Sequence, residues 1–512
     1  MTGRIFILLL CVAASVATSV ATAADWPMWG RDASRNMAAT DISLPDTFKP
    51  GPINYNTEEI DQTKSVNIRW IFKLGSQSYG NATIADGRVF FGTNNESPRV
   101  AAHKGDRGVV MCIDEKTGDF LWQLTTPKLG AGKVSDWEYL GICSSPAVSG
   151  NRVYVVTNRC EVVCMDVEGL ANGNQGVQDE GSYMAGPGKP AMAVGEQDAD
   201  IIWTYDMRSE LGVFPHNIAS SSVLVAGNRL YVTTSNGQDW SHVNIPAPQA
   251  PCLIVLERDT GKLIGEEASG ISKRLFHCNW SSPAYGSFGD RPLVVFGAGD
   301  GFCYGFDPQP VKEDGFDILP EAWRFDCNPA SYRTGEDGKP VKYASAGKGP
   351  SEIIATPVIY NQRVYIATGQ DPEHGQGVGA LSCIDASGSG DISKSGIVWQ
   401  YTDLHRSIST VAIADGLVYA ADYTGRLHCL DAGSGKVYWV HDTASNVWSS
   451  SLVADGKVFI GNEDGYLTVL ATGKKKKKLA EIDFYAPLYS SPVAANDTLY
   501  IATQSHLFAV GN

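Results

Sequence analysis

A unit of about 40 residues recurs along this chain, and it limits the fold more than any other feature. Residues 409–431 read STVAIADGLVYAADYTGRLHCLD, and residues 449–470 read SSSLVADGKVFIGNEDGYLTVL. Each holds a short apolar strand, an Asp-Gly turn, a second strand, a Gly turn and a third strand. Asp-Gly between alternating apolar residues is a strong hairpin signal, because both turn positions need positive φ. Gly416 and Gly456 lie 40 positions apart, and Gly456 and the equivalent Asp497 lie 41 apart. A period of that length with three or four short strands is the signature of a propeller blade.

A fourth strand follows the third through an Asp, a Gly turn and a Trp. Asp114 to Trp122 shows it, as does Asp431 to Trp439; Trp203, Trp323 and Trp399 mark degenerate copies. First strands begin near Gly80, Ser144, Ser220, Ser281, Ala355, Ser409, Ser449 and Ser490, which gives eight blades. The eighth unit stops at Leu507-Phe508-Ala509-Val510 without a Trp strand, whereas Val66 to Phe72, with Trp70, precedes the first unit. The expected fold is therefore all-β: an eight-bladed β-propeller of four-stranded blades, closed by the N-terminal strand completing the last blade. Such closure leaves no open sheet edge at the seam. At the fourth site, Phe288-Gly289-Asp290-Arg291-Pro292 predicts a widened first hairpin.

Composition agrees with many short strands and tight turns: 54 Gly among 512 residues, with 10% aromatics. The net charge of -15 repels a nucleic-acid backbone, so no nucleic-acid partner is expected. Arg4, the apolar run Ile5–Val12 and the small residues ending in Ala21-Thr22-Ala23 form an export signal, cleaved near Ala23. A lipoprotein reading at Leu8-Leu9-Leu10-Cys11 leaves little room for the hydrophobic region. No other run is long and apolar enough for a transmembrane segment. The mature chain is thus placed in the periplasm or outside the cell. It divides into the signal peptide 1–23, an N-terminal extension 24–65 and the propeller 66–512.

Eleven Cys in an exported chain invite a disulfide reading. However, Cys112, Cys164, Cys383 and Cys429 each precede an Asp by two residues, at equivalent places in different blades, so they cannot all be neighbours. Burial as small hydrophobes explains those four. Cys143, Cys160, Cys278 and Cys327 lie elsewhere, and sequence alone does not pair them.

The repeat elements Ser-Ser-Pro, Val-Tyr-Ile, Gly-x-Leu, Leu-Asp and Thr/Ser-Gly-x-x-x-Trp resemble those of the pyrroloquinoline-quinone (PQQ) propeller superfamily. The resemblance covers about residues 66–510, and Asp25-Trp26-Pro27-Met28-Trp29-Gly30-Arg31-Asp32 is similar to the opening of many exported propellers. It implies the fold; it does not imply one activity. The superfamily includes quinoprotein dehydrogenases that bind PQQ and calcium, and cofactor-free envelope propellers of the BamB type. This chain departs from the dehydrogenases in having no adjacent Cys pair, no C-x-x-C-H motif, and Asp-Trp pairs only in loops.

Propellers place ligands at the central mouth, just before the innermost strands. The residues there include Gln77, Glu138, His216, Asn217, His277, Asn279, Glu352, His405, Arg406 and Asn446, with Trp280, Trp448 and Tyr489. Polar and aromatic groups converging on one funnel can hold a small molecule or an ion, or simply a hydrated mouth. In the dehydrogenase reading Glu138, Asn217 or Glu352 would hold calcium, and an acidic residue or His216 would be the base. Asp371, Glu373 and His374 form a second metal candidate, set against a plain turn built on Pro372 and Gly375. Long polar insertions at 168–200, 235–251, 327–352 and 369–379 mark the faces of the ring as interaction surfaces. Lys474–Lys478 reads as a solvated hairpin tip.

Two functions compete. The first is a binding or scaffold module that holds an envelope protein or glycan at the rim loops, or a small-molecule ligand in the funnel. The second is an oxidoreductase with PQQ and calcium as cofactors, oxidising alcohols or sugars. The Ser residues of Ser-Ser-Pro start strands and lack the elbow context of a nucleophile.

Overall fold

The computed structural model describes residues 24–343 and 347–512; the export signal read at 1–23 lies outside them. Eight antiparallel sheets form the ring. Taking strands in order from the axis outward, blade 1 holds Thr83–Ala85, Arg88–Asn94, Arg107–Asp114 and Phe120–Pro127. The innermost strands of blades 2 to 8 are Ala147–Ser149, Leu224–Ala226, Ala284–Phe288, Val358–Tyr360, Ala412–Ala414, Leu452–Ala454 and Val493–Ala495. In blade 8, Ile68–Lys73 pairs antiparallel with His506–Val510, so both chain ends share one sheet as expected.

Alternation in the strands buries apolar side chains on both faces, and neighbouring blades pack through them. A Trp of the fourth strand ties four of the blades to the next. The indoles of Trp70, Trp122, Trp399 and Trp439 donate to the carbonyl oxygens of Glu115, Val167, Ala432 and Gly473 in the following blade. Gly118, at φ +76°, lies so close under Trp70 that a Cβ there would sit 2.7 Å from the ring. Sequence patterning at this Gly thus serves two needs, a left-handed turn and a flat seat for the indole.

A second device joins the blades near the axis. In seven of the eight blades a residue just before the innermost strand uses its backbone N–H to reach the equivalent side-chain oxygen in the next blade. The links run Asn81–Ser145, Ser145–Ser222, Ser222–Ser282, Thr356–Thr410, Thr410–Ser450, Ser450–Ser491 and Ser491–Asn81, at 2.6–3.2 Å. The repeated Ser-Ser-Pro is therefore structural: its hydroxyls form an axial belt.

The N-terminal segment is part of the ring. Between Trp26 and Ser43 it hydrogen-bonds to all eight blades, at Ile84, Val148, Val223, Tyr285, Ile359, Ile413, Val453 and Asp497. These contacts lie along or beyond the innermost strands, on the face of the first hairpin turns. Trp26 and Met37 are fully buried there. Arg35 is buried too, its guanidinium donating to the carbonyls of Trp29, Pro283 and Val223. The segment closes that end of the channel.

One expectation is corrected. The first hairpin of blade 4 keeps a two-residue turn, Gly289-Asp290, and lengthens its arms instead, with Ala284–Phe288 paired to Arg291–Val295. The pairing that the sequence left open is absent among the described residues: the ten described cysteines are all free thiols, including Cys143, Cys160, Cys278 and Cys327. Among the described residues no helix is long and apolar enough to cross a membrane.

Candidate functional site

With one end closed, the channel becomes a blind cavity of about 400 Å³. Trp29 forms the floor, and the belt residues Ser145, Ser222, Ser282, Thr356, Thr410, Ser450 and Ser491 ring the wall above it. Nearer the mouth the wall turns aromatic, with Tyr79, Trp137, Trp280, Trp448 and Tyr489. Tyr79 stacks on Tyr489 at 5.3 Å, and Trp448 meets Tyr489 at 4.8 Å. Gln77, Asn217, Asp371 and Glu373 add polar groups. Among the described lining residues none is Lys or Arg. Burial pushes the Cys143 thiol up to about 12, so it stays protonated.

Three of the four insertions border the mouth. Residues 235–251 join the second and third strands of blade 3, 327–352 join blades 4 and 5, and 369–379 join the second and third strands of blade 5. The fourth, 168–200, leaves from the opposite face and runs along the outer edge of blade 1, where Asp198 bridges to Gln123.

The funnel residues read from sequence separate into distinct settings. Asn217, Trp280 and Trp448 line the cavity. The Trp280 indole donates to the Ile218 carbonyl, whereas the Trp448 indole N–H and the Asn217 side-chain oxygen are buried without a partner. Glu138 is exposed and outside the lining. Asn279 is buried in the scaffold, donating to Asn236 and accepting from Gly299. Asn446 donates to Glu463 and the Tyr423 hydroxyl. Arg406 is buried and donates to the carbonyls of His374 and Gly375.

His216, His277 and Glu352 meet beside the mouth. His277 Nε2 lies 2.8 Å from His216 Nε2, and Tyr343 joins Glu352, His277 and His374 through its hydroxyl. Burial, reinforced at His216 by the neighbouring imidazole, lowers both His216 and His277 to about 3. Burial raises Glu352 to about 7. Sequence reasoning missed His242, which joins this group from the 235–251 insertion; only its place in a long loop near the mouth could have flagged it. Asp371, Glu373 and His374 sit on a one-turn helix that Asp371 caps through the Glu373 N–H. Asp371 and Glu373 face the cavity, and His374 neighbours Tyr343.

PQQ is a tricarboxylate, and the aromatic walls suit its flat rings. The described lining nevertheless supplies two carboxylates and no cation to face its charges. Of the calcium candidates, Asn217 is in the wall, Glu138 is outside it, and Glu352 is engaged with Tyr343. The residues present do not fit that pair of groups.

The family profile described as outer membrane protein assembly factor BamB matches residues 62–269 and 379–510. No curated protein matches the sequence. Among solved structures, BamB from Moraxella catarrhalis is similar at 13% identity over 86% of this chain and 98% of that one, with a TM-score of 0.52. The quinohemoprotein alcohol dehydrogenase from Comamonas testosteroni shares 12% identity over 95% of this chain and 81% of that one, with a TM-score of 0.47. At these identities the likeness to solved structures is one of fold.

Proposed function

The chain belongs to the family of the outer membrane protein assembly factor BamB, and we propose that it is a cell-envelope binding module whose central cavity takes a neutral, polyhydroxylated ligand such as a glycan segment. One observation carries the reading. The described cavity wall combines flat aromatic faces with the polar side chains of Gln77, Asn217, Asp371 and Glu373, and none of its residues is Lys or Arg. Sugars stack their C–H faces on aromatic rings while their hydroxyls pair with amides and carboxylates of this kind. Asp371 and Glu373 accept hydrogen bonds from hydroxyls, and they repel a carboxylate ligand.

The rim loops 235–251 and 327–352 border the same mouth, and an envelope protein that presents a glycan would meet them there. Calorimetric titration of the full chain with neutral oligosaccharides tests the reading. Saturable binding that weakens at least tenfold in Trp448→Ala is the expected result. Failure of every neutral saccharide to bind, with binding of anionic ones, would overturn it.

A further inference from the structure

Beside the cavity mouth, three imidazoles from three separate connections converge. His216 precedes the innermost strand of blade 3, His277 precedes that of blade 4, and His242 comes from the 235–251 insertion. Their nitrogens all lie within 4.8 Å of one another. His277 Nε2 is 2.8 Å and His242 Nε2 is 3.2 Å from His216 Nε2.

The scaffold holds this convergence. Residues 236–237 are bridged on one side to Pro215 and on the other to Cys278, which sets the two buried histidines side by side. Gly237 lies between them so closely that a Cβ would sit 2.6 Å from His216 Cβ. His242 stands on a tight turn whose backbone and side chains are gathered by Asp239.

The proton positions follow from the partners. His216 Nδ1 lies 2.6 Å from the Gln238 carbonyl oxygen, which only accepts, so Nδ1 carries the hydrogen and Nε2 a bare lone pair. Both other imidazoles aim at that lone pair. One in-plane lone pair serves a single donor well, whereas a cation among the three nitrogens serves all of them. His277 Nδ1 is backed by the Tyr343 hydroxyl at 3.3 Å, which in turn donates to Glu352. A carboxylate behind a ligating histidine is the usual outer shell of a metal site. Nitrogens at 2.0–2.1 Å from a tetrahedral zinc are about 3.3 Å apart, close to the two short separations here.

We propose that His216, His242 and His277 bind one divalent transition-metal ion of the zinc class, with its fourth position left to water or a ligand. The site stands apart from the cavity's own ligand, and its test is run without any saccharide.

The full chain, stripped with a chelator, is titrated with zinc by calorimetry and with cobalt(II) by visible absorption. One equivalent of zinc and the intense d–d bands of tetrahedral cobalt are expected. His242 is exposed, so His242→Ala keeps the fold, which circular dichroism verifies. It should weaken zinc beyond the roughly 100-fold typical of outer-shell changes. Glu352→Gln should weaken it less. Absence of saturable one-to-one binding, or zinc affinity unchanged in His242→Ala, would overturn the proposal. Either result is read whether or not the cavity binds a glycan.

Discussion

Trp29 donates its indole N–H to Thr356 Oγ1 at 2.9 Å, across 327 positions of sequence. The hydroxyl it reaches is a member of the axial belt, so the N-terminal segment and the propeller share one hydrogen-bonded structure. The indole also makes the cavity floor. Trp29→Phe keeps an aromatic floor while removing this bond and part of the ring, and should cost about 1–2 kcal/mol in urea unfolding. Trp29→Ala also removes the packing, and should cost about 3 kcal/mol and abolish saccharide binding. Equal losses in the two variants would show that the floor is not packed as described.

Ring closure rests on Trp70 over Gly118, and two glycines separate its parts. Gly87 and Gly118 both have positive φ, but a Cβ at Gly87 meets open space. Gly87→Ala should therefore lose only the conformational term, about 1 kcal/mol. Gly118→Ala should lose about 3 kcal/mol, since the added carbon also displaces the indole. Thermal melts of the two variants, run side by side, give the comparison.

Glu267 predicts a pH dependence. Burial raises its carboxyl from 4.5 to about 7, against the N–H groups of Cys252 and Ser269 that it accepts. Between those values the folded state keeps a proton that the unfolded state has released. Stability from this group thus falls as pH rises from 4.5 to 7, by about 3 kcal/mol in all, and is level above. Glu267→Gln should remove that slope. Parallel curves of unfolding free energy against pH for the two proteins would contradict the assignment.

Trp240 probes the rim. It is 56% exposed and lies 6.2 Å from the cavity residue Trp137. Trp240→Ala should leave stability within about 0.5 kcal/mol of the parent. It should weaken saccharide binding by about tenfold, because the loop extends the aromatic wall beyond the mouth.

The blades were legible in the sequence because each repeats a local rule: Asp-Gly for the first hairpin, alternation for the strands, Trp after a Gly turn. Trp70 as the missing strand of blade 8 was legible for the same reason. The cavity was legible only in part. Asn217, Trp280 and Trp448 occupy the funnel as their place before an innermost strand implies. Asn279 holds an equivalent place but is drawn into the scaffold by Asn236 and Gly299, a choice made by neighbours distant in sequence. Two features carried no repeating signal. One is the Trp26–Ser43 segment, whose contacts are single hydrogen bonds to eight different blades. The other is His242, which loop geometry alone brings to His216.

The most direct test of the account is tryptophan fluorescence during titration. Trp29, Trp137, Trp280 and Trp448 line the cavity and report any occupant. A neutral oligosaccharide should quench saturably in the parent chain and only at about tenfold or higher concentration in Trp448→Ala, while PQQ with calcium should give no saturable change. Saturable, calcium-dependent quenching by PQQ, with no response to saccharides, would contradict the central claim and return the chain to redox chemistry.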